Sequence, residues 1–281
     1  MRAGILDVIM SGSAALKSLT VKPWYESFGK DAFNAARKSG DRFVIADHTG
    51  AALERMRTFD SLLDPTQDDC EGWTLLKQDV SLFDFALAHL DFNKERYADR
   101  TTLVAAAIFD IIGTSLRARH QSNMVFAAEL LELDTDAVLR HVPAICAHCE
   151  FAWITNMAET EVAAQVIVDE RYIRFLLDQL ASFLNLLPDG NFTIEGWFKE
   201  TAINGSALFL TSPPHTQNSF SWLIDFWFTQ AVCAYDKDVF ADHGKVWFIK
   251  DGKKINCAPS QRTRSAYRAV TPLPPKLSVV P

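Results

Sequence analysis

A chain of 281 residues, 48% of them hydrophobic and 22% charged, has the balance of a globular protein with one large core or two smaller ones to bury. Its formal charge of −7 argues against a uniformly cationic clamp for nucleic acid, since nonspecific affinity for phosphates comes from Lys and Arg; any such binding has to be local. Thr102 to Leu116, the most apolar stretch, holds Asp110 and falls short of the roughly 20 residues a bilayer requires. Met1 to Thr20 lacks the charge pattern of a secretory signal, with Asp7 inside its apolar run, so the expectation is a cytoplasmic chain with no transmembrane segment. Five scattered cysteines, Cys70, Cys146, Cys149, Cys233 and Cys257, fit reduced thiols rather than a disulfide framework.

In chain order, Asp31 to Ser39 has helical composition and stops at Gly40, a C-cap residue. Asp41-Arg-Phe-Val-Ile-Ala-Asp47 follows, and its four apolar residues in succession predict a strand buried on both faces, as in a parallel sheet flanked by helices. His48-Thr49-Gly50 reads as the turn after it. Phe59 to Leu63 is a second candidate strand, ended by Asp64-Pro65. From Gln67 to Leu187 glycine and proline become scarce and apolar residues recur at helical spacing, which predicts four to six helices. In the last of them Val162, Val166, Ile173, Leu176, Leu180, Phe183 and Leu187 read as one buried helix face.

Pro188-Asp189-Gly190 is a turn signal, after which strand-like text returns in Phe192-Thr193-Ile194, with a helix starting near Trp197. Ala207 to Thr211 and Val246 to Ile249 are further buried strands, separated by an aromatic-rich helix from Ser219 to Tyr235. The basic, proline-containing text from Lys250 onward is expected to be largely unstructured. The reading is an α/β domain with a large all-helical insert: 1–66 and 188–251 form the α/β part, 67–187 the insert and 252–281 the tail.

A phosphate-binding P-loop needs a glycine-rich turn, a lysine for the terminal phosphates and a hydroxyl for magnesium. Two places approach this pattern. Ile9 to Ser18 supplies Gly12, Lys17 and Ser18, but Leu16 stands where the second glycine belongs and its side chain would obstruct the backbone path. Gly29-Lys30-Asp31 has the glycine and lysine, but Trp24 replaces the first glycine and a carboxylate replaces the hydroxyl. The second half of such a site is a metal-binding carboxylate at the end of a buried strand, followed by a catalytic glutamate. Asp251 offers the first, as a weak metal candidate, with Lys250 intruding before it and Gly252 where the glutamate would stand. No complete catalytic constellation emerges.

Cys146-Ala-His148-Cys149 has redox and zinc spacing but no second pair of ligands, so packing is the expected role. His215, after Pro213-Pro214, falls on a loop at a strand's carboxyl end, where open α/β sheets place ligands, though a lone loop histidine is usually solvated. Arg96, Arg100, Arg117 and Arg119 are the candidate nucleic-acid contacts, with Arg140, Arg171 and Arg174 as further helical cations; the plain alternative for each is a solvated helix face.

Taken in order, Gly40-Asp-Arg-Phe-Val-Ile-Ala-Asp-His-Thr-Gly50, Leu63-Asp-Pro65 with Gly72-Trp73, the helical block, Pro188-Asp-Gly-Asn-Phe-Thr-Ile-Glu-Gly-Trp197, Ala207 to Thr211 and Val246 to Ile249 resemble the conjugative coupling proteins of type IV secretion systems, the TraD, TraG and TrwB kind. The resemblance covers Gly40 to Asp251. It implies a partial RecA-like P-loop nucleotide-binding domain interrupted by an all-α domain, with ATP and magnesium as ligands of the family. It also implies single-stranded DNA, relaxase or relaxosome proteins and type IV secretion components as partners, a homo-oligomeric ring, and a place at the inner membrane reached through those partners. By position Asp47 matches the aspartate ending the strand after the P-loop helix, and Asp251 the first acidic residue of the second acidic motif. The expected function is that of a truncated or degenerate coupling-protein homologue associated with DNA or the relaxosome, without ATP turnover. The alternatives are an active DNA-translocating ATPase, and a non-catalytic adaptor whose partner covers the open side of the sheet.

Overall fold

The computed structural model describes residues 33–48, 61–65, 71–92, 100–119, 122–148, 158–199, 205–212, 217–235, 246–251 and 253–255. A helix through 33–38, α1, ends at Gly40, whose φ of +94° suits a residue without a Cβ. Asp41 N donates to Ala36 O and Gly40 N to Arg37 O, the paired bonds of a glycine-terminated helix. The chain then enters β1 (Arg42–Asp47), every residue of which is buried.

β1 is the centre of a five-stranded sheet in the order β2-β3-β1-β4-β5, with β2 (Ser61–Leu63), β3 (Ala207–Thr211), β4 (Val246–Lys250) and β5 (Lys253–Ile255). The first four strands in this order are parallel. Phe43 pairs with Ala207 on one side and Trp247 on the other, and Ala46 with Leu210 and Lys250. The segments on either side of the helical block therefore share one ladder. Alternate residues of β1 point to opposite faces. Val44 and Ala46 join the core shared with the helices, and Phe43 and Ile45 pack with Phe33, Phe209 and Ile249.

The crossover between the neighbouring strands β2 and β3 holds the helical block: a 3-10 turn (Leu75–Lys77), then α2 (Leu82–Phe92), α3 (Arg100–Arg117), α4 (Asn123–Glu132), α5 (Thr135–Arg140), α6 (Val142–His148), α7 (Glu159–Val168) and α8 (Glu170–Leu184). Next comes α9 (Ile194–Lys199), then β3 and α10 (Gln217–Ala234), which lies over β1 and packs on α2. Trp73, Trp227 and Phe85 sit where the block meets the sheet layer, with Trp73 edge-on to Trp227 at 5.6 Å.

Several expectations need correction. The block has seven α-helices among the described residues rather than four to six, because short polar joints divide the text. Asp134 caps α5 by accepting from Ala137 N at 2.6 Å, and Asp169 separates α7 from α8. The seven residues from Val162 to Leu187 are all buried, but they are carried on two helices and the residues after them. Phe192-Thr193-Ile194 is not a strand: Asn191 bridges to Trp73, Thr193 Oγ1 accepts from Gly196 N at 3.0 Å, and Ile194 opens α9. Lys253 to Ile255, placed in the unstructured tail, pair antiparallel to β4, so β4 is an interior strand. Phe43, Ile45, Leu62 and Phe209, on one face of the sheet, are at most 3% exposed.

Candidate functional site

Parallel strands end together, so their carboxyl ends gather polar side chains along one edge of the sheet, the place where open α/β folds bind ligands. Here β1 delivers Asp47 and His48, β2 delivers Asp64, β3 delivers Thr211 and Ser212, and β4 delivers Lys250 and Asp251; α10 adds Asp225 from above. Asp47 and Asp64 are buried, and the Asp47 carbonyl accepts from Thr211 Oγ1 at 2.8 Å.

His48 organises this edge. Its Nδ1 lies 2.8 Å from Asp251 Oδ1, its backbone N–H donates to the same oxygen at 3.2 Å, and its Nε2 lies 3.0 Å from Asp225 Oδ1. Lys250 Nζ approaches Asp225 Oδ1 at 2.7 Å. Two cations and two carboxylates thus alternate across the ends of β1 and β4 and the flank of α10. Burial pulls the His48 imidazole towards neutrality, but hydrogen bonds and charge from Asp225 and Asp251 outweigh it and push the pKa up to about 10. Burial alone would raise the Asp225 carboxyl; His48 and Lys250 reverse that and hold it below its usual value. A histidine protonated on both nitrogens and held by two carboxylates cannot serve as a general base near neutrality.

Asp251 takes a φ of +48°, uncommon for a residue with a side chain, and its N–H donates to Ala46 O at 2.9 Å. The turn aims its carboxylate at His48. A magnesium ion would need oxygen ligands free of competing cations. Asp225 and Asp251 do not fit that requirement, because the His48 imidazolium and the Lys250 ammonium already stand beside them. Among the described residues no group of three or more His, Cys, Asp or Glu could hold a metal ion.

Gly12, Lys17, Ser18, Gly29, Lys30, Arg96, Cys149 and His215 lie outside the described residues. Arg100 opens α3. Arg117 is half-buried and donates from Nη2 to Val80 O at 3.0 Å, a contact within the block, while Arg119 is exposed. Cys146 is half-buried on α6, and burial together with Glu159 pushes its thiol pKa up, against a thiolate ligand. Sequence reasoning missed His48 and Asp225: the only local signal was a histidine following a strand-ending aspartate.

A second polar centre joins the ends of the helical block. Asn123 accepts from Leu75 N at 2.8 Å and donates to Trp73 O at 2.9 Å, and Asp189 Oδ1 accepts from Asn123 N at 2.8 Å and Thr74 Oγ1 at 3.1 Å. Lys77 Nζ donates to Gly190 O and Asn191 Oδ1. These bonds tie Gly72-Trp73 to Pro188-Asp189-Gly190.

A family model described as the type IV secretion-system coupling protein DNA-binding domain matches residues 29–253. The chain belongs to that family. Its fold is that of solved coupling-protein structures. The unbound bacterial conjugative coupling protein TrwBdeltaN70 is 17% identical with a TM-score of 0.54, over 78% of this chain and 50% of that one. Plasmid coupling protein TrwB with a non-hydrolysable GTP analogue gives 17%, 0.55, 78% and 51%, and TrwB with ADP and Mg2+ gives 19%, 0.53, 78% and 51%. This chain therefore spans about half the length of those structures, and at such identities the likeness is one of fold: part of a RecA-like α/β domain with an all-α domain. No curated protein matched the chain in sequence. Among the described residues no helix is long and apolar enough to cross a membrane, and Thr102 to Leu116 lies within α3, a helix of the core.

Proposed function

We propose that this coupling-protein family member serves as a non-hydrolysing component of a DNA-transfer complex, in which the helical block contacts DNA or relaxosome proteins. One observation carries the reading: the Asp251 carboxylate, which by position resembles the first acidic residue of the family's second acidic motif, is committed to His48, with Lys250 and Asp225 completing an internal charge balance. Phosphoryl transfer depends on a metal held by such a carboxylate and on a residue that orients the attacking water. Gly252 follows Asp251, so no carboxylate follows in sequence to orient that water.

TrwB binds nucleotide analogues and ADP with Mg2+ in the solved complexes. In this chain nucleotide binding is left to Gly12, Lys17, Ser18, Gly29 and Lys30, whose spacing departs from a P-loop. Partition into 1–66, 67–187, 188–251 and 252–281 is part of the same proposal. The test is phosphate release by purified protein with millimolar ATP and Mg2+. No release above background is expected; magnesium-dependent release abolished by Lys17→Ala or Lys30→Ala would overturn the reading in favour of an active motor.

A further inference from the structure

Two joints of the helical block lie side by side. Leu133 and Asp134 separate α4 from α5, Asp169 separates α7 from α8, and Thr135 Oγ1 donates to Glu170 Oε1 across the gap between them. They border a cavity of about 260 Å³. Its floor is aliphatic: Leu133, Val138, Val166, Ile173 and Leu177 line it, each at most 8% exposed. Glu132, Asp134 and Glu170, all exposed, line it as well, so the cavity has an apolar bottom and an acidic rim. Its volume lies below the roughly 300–1,000 Å³ of clefts that hold cofactors and drug-sized molecules, and suits a single aliphatic side chain.

The polar atoms of the lining decide the charge of what enters. Asp134 Oδ1 accepts from Ala137 N at 2.6 Å and Glu170 Oε1 accepts from Thr135 Oγ1, bonds that hold both carboxylates in place. A carboxylate offers about four lone-pair sites on its two oxygens, so each can accept further bonds. The guanidinium of the lining, Arg174, is engaged by the chain: its Nη2 donates to Leu131 O at 2.5 Å, and its Nε stands 3.6 Å from Asp178 Oδ1. Three carboxylates therefore share the cavity with a cation that a fourth already opposes, a balance that repels phosphate and draws in positive charge. A bare metal ion does not meet this description. Among the described residues no three His, Cys, Asp or Glu side chains come together to hold one, and an ion would make no use of the aliphatic floor.

We infer that this cavity takes one aliphatic side chain of a protein partner, from a segment that carries lysine or arginine on either side of it. The aliphatic group covers Val138, Val166, Ile173 and Leu177, and the flanking cations reach Glu132, Asp134 and Glu170 at the rim, the arrangement of an apolar anchor inside a polar border. This deepens the proposed function by giving the helical block a defined protein contact. It rests on that reading only for the block's binding role and requires no statement about ATP.

The experiment follows the isoleucine, leucine and valine methyl resonances of the full chain by NMR while three blocked tripeptides are added in turn: Lys-Leu-Lys, Lys-Ser-Lys and Glu-Leu-Glu. Lys-Leu-Lys is expected to shift the Val138, Val166, Ile173 and Leu177 methyls saturably, with the serine and glutamate peptides about tenfold or more weaker. Glu132→Gln and Glu170→Gln should each weaken that binding and reduce its sensitivity to salt. Both variants keep a side chain that can accept a hydrogen bond, and the methyl spectrum itself checks that the fold survives. Either control peptide binding as tightly as Lys-Leu-Lys would overturn the assignment, as would these four methyls staying unmoved, or an affinity unchanged in both variants. A single-stranded oligonucleotide that shifts the same methyls would replace the protein partner with nucleic acid. Shifts that grow with the concentration of the chain alone would replace it with a second copy. Phosphate release is measured separately, so a failure of the non-hydrolysing reading leaves this result legible.

Discussion

Gly72 and Gly190 meet backbone to backbone: a Cβ on Gly72 would lie 2.3 Å from the Asp189 carbonyl oxygen, and one on Gly190 would lie 2.3 Å from the carbonyl oxygen of Gly72. The entry and exit of the helical block touch here, and the contact admits no side chain on either strand of the crossing. The block is thereby closed into a unit at its root instead of hanging on two independent linkers.

Gly72→Ala and Gly190→Ala should each destabilise the protein by about 1–3 kcal/mol, the usual cost of forcing extra atoms into a packed site. Chemical denaturation reads this directly. Gly40→Ala is the contrast, because no atom lies within 4 Å of its added Cβ and only the φ of +94° is strained. Its cost should be smaller, about 1 kcal/mol.

Asn123 is fully buried, and its side chain serves Leu75 N and Trp73 O at once. Asn123→Ala strands both backbone groups away from water, at about 1–3 kcal/mol for each unsatisfied group. Asn123→Asp keeps the acceptor for Leu75 N but places a second carboxylate beside Asp189, so it should be no better tolerated. Denaturation midpoints of the two variants check the order.

The His48 cluster makes stability fall on the alkaline side. Because the folded-state pKa of about 10 lies above the usual 6.5, the charged histidine's contribution is complete below pH 6.5 and is lost as pH rises through 10. Thermal unfolding of the parent chain should therefore weaken between pH 7 and 10. His48→Gln should show a flatter profile there and lower stability at pH 6.5, by about 1–2 kcal/mol for lost charge-assisted bonds.

His89 behaves in the opposite sense. Burial among Phe183 at 4.7 Å and Trp222 at 5.0 Å lowers its pKa to about 4, against a smaller upward pull from the Gln179 backbone. The folded state then binds fewer protons than the unfolded chain between pH 6.5 and 4, so stability is present above 6.5 and drains as pH falls through that window. His89→Phe should reduce the acid dependence of the melting temperature while costing some stability at pH 7, because the Gln179 bond is lost.

Strands were the most legible part of the sequence. Phe43-Val-Ile-Ala46 and Ala207-Leu-Phe-Leu210 announce burial on both faces, since only a covered parallel strand tolerates four apolar residues in a row. Helices were harder to divide. The step of seven from Val166 to Ile173 hides the joint at Asp169, because helical periodicity survives a break that keeps the phase. Lys253 to Ile255 read as tail because basic residues dominate a strand too short to show alternation.

What the sequence determined by itself was the kind of layer each segment could enter: apolar runs bury on two faces, apolar stripes on one, and Gly40 stops a helix because it accepts a positive φ. What only the tertiary structure decided was the company of the polar residues. His48 and Asp251 are 203 positions apart, and nothing local marks them as partners. They meet because β1 and β4 run parallel in adjacent register and end together, so the sheet, not the neighbouring text, sets the charge that each side chain feels.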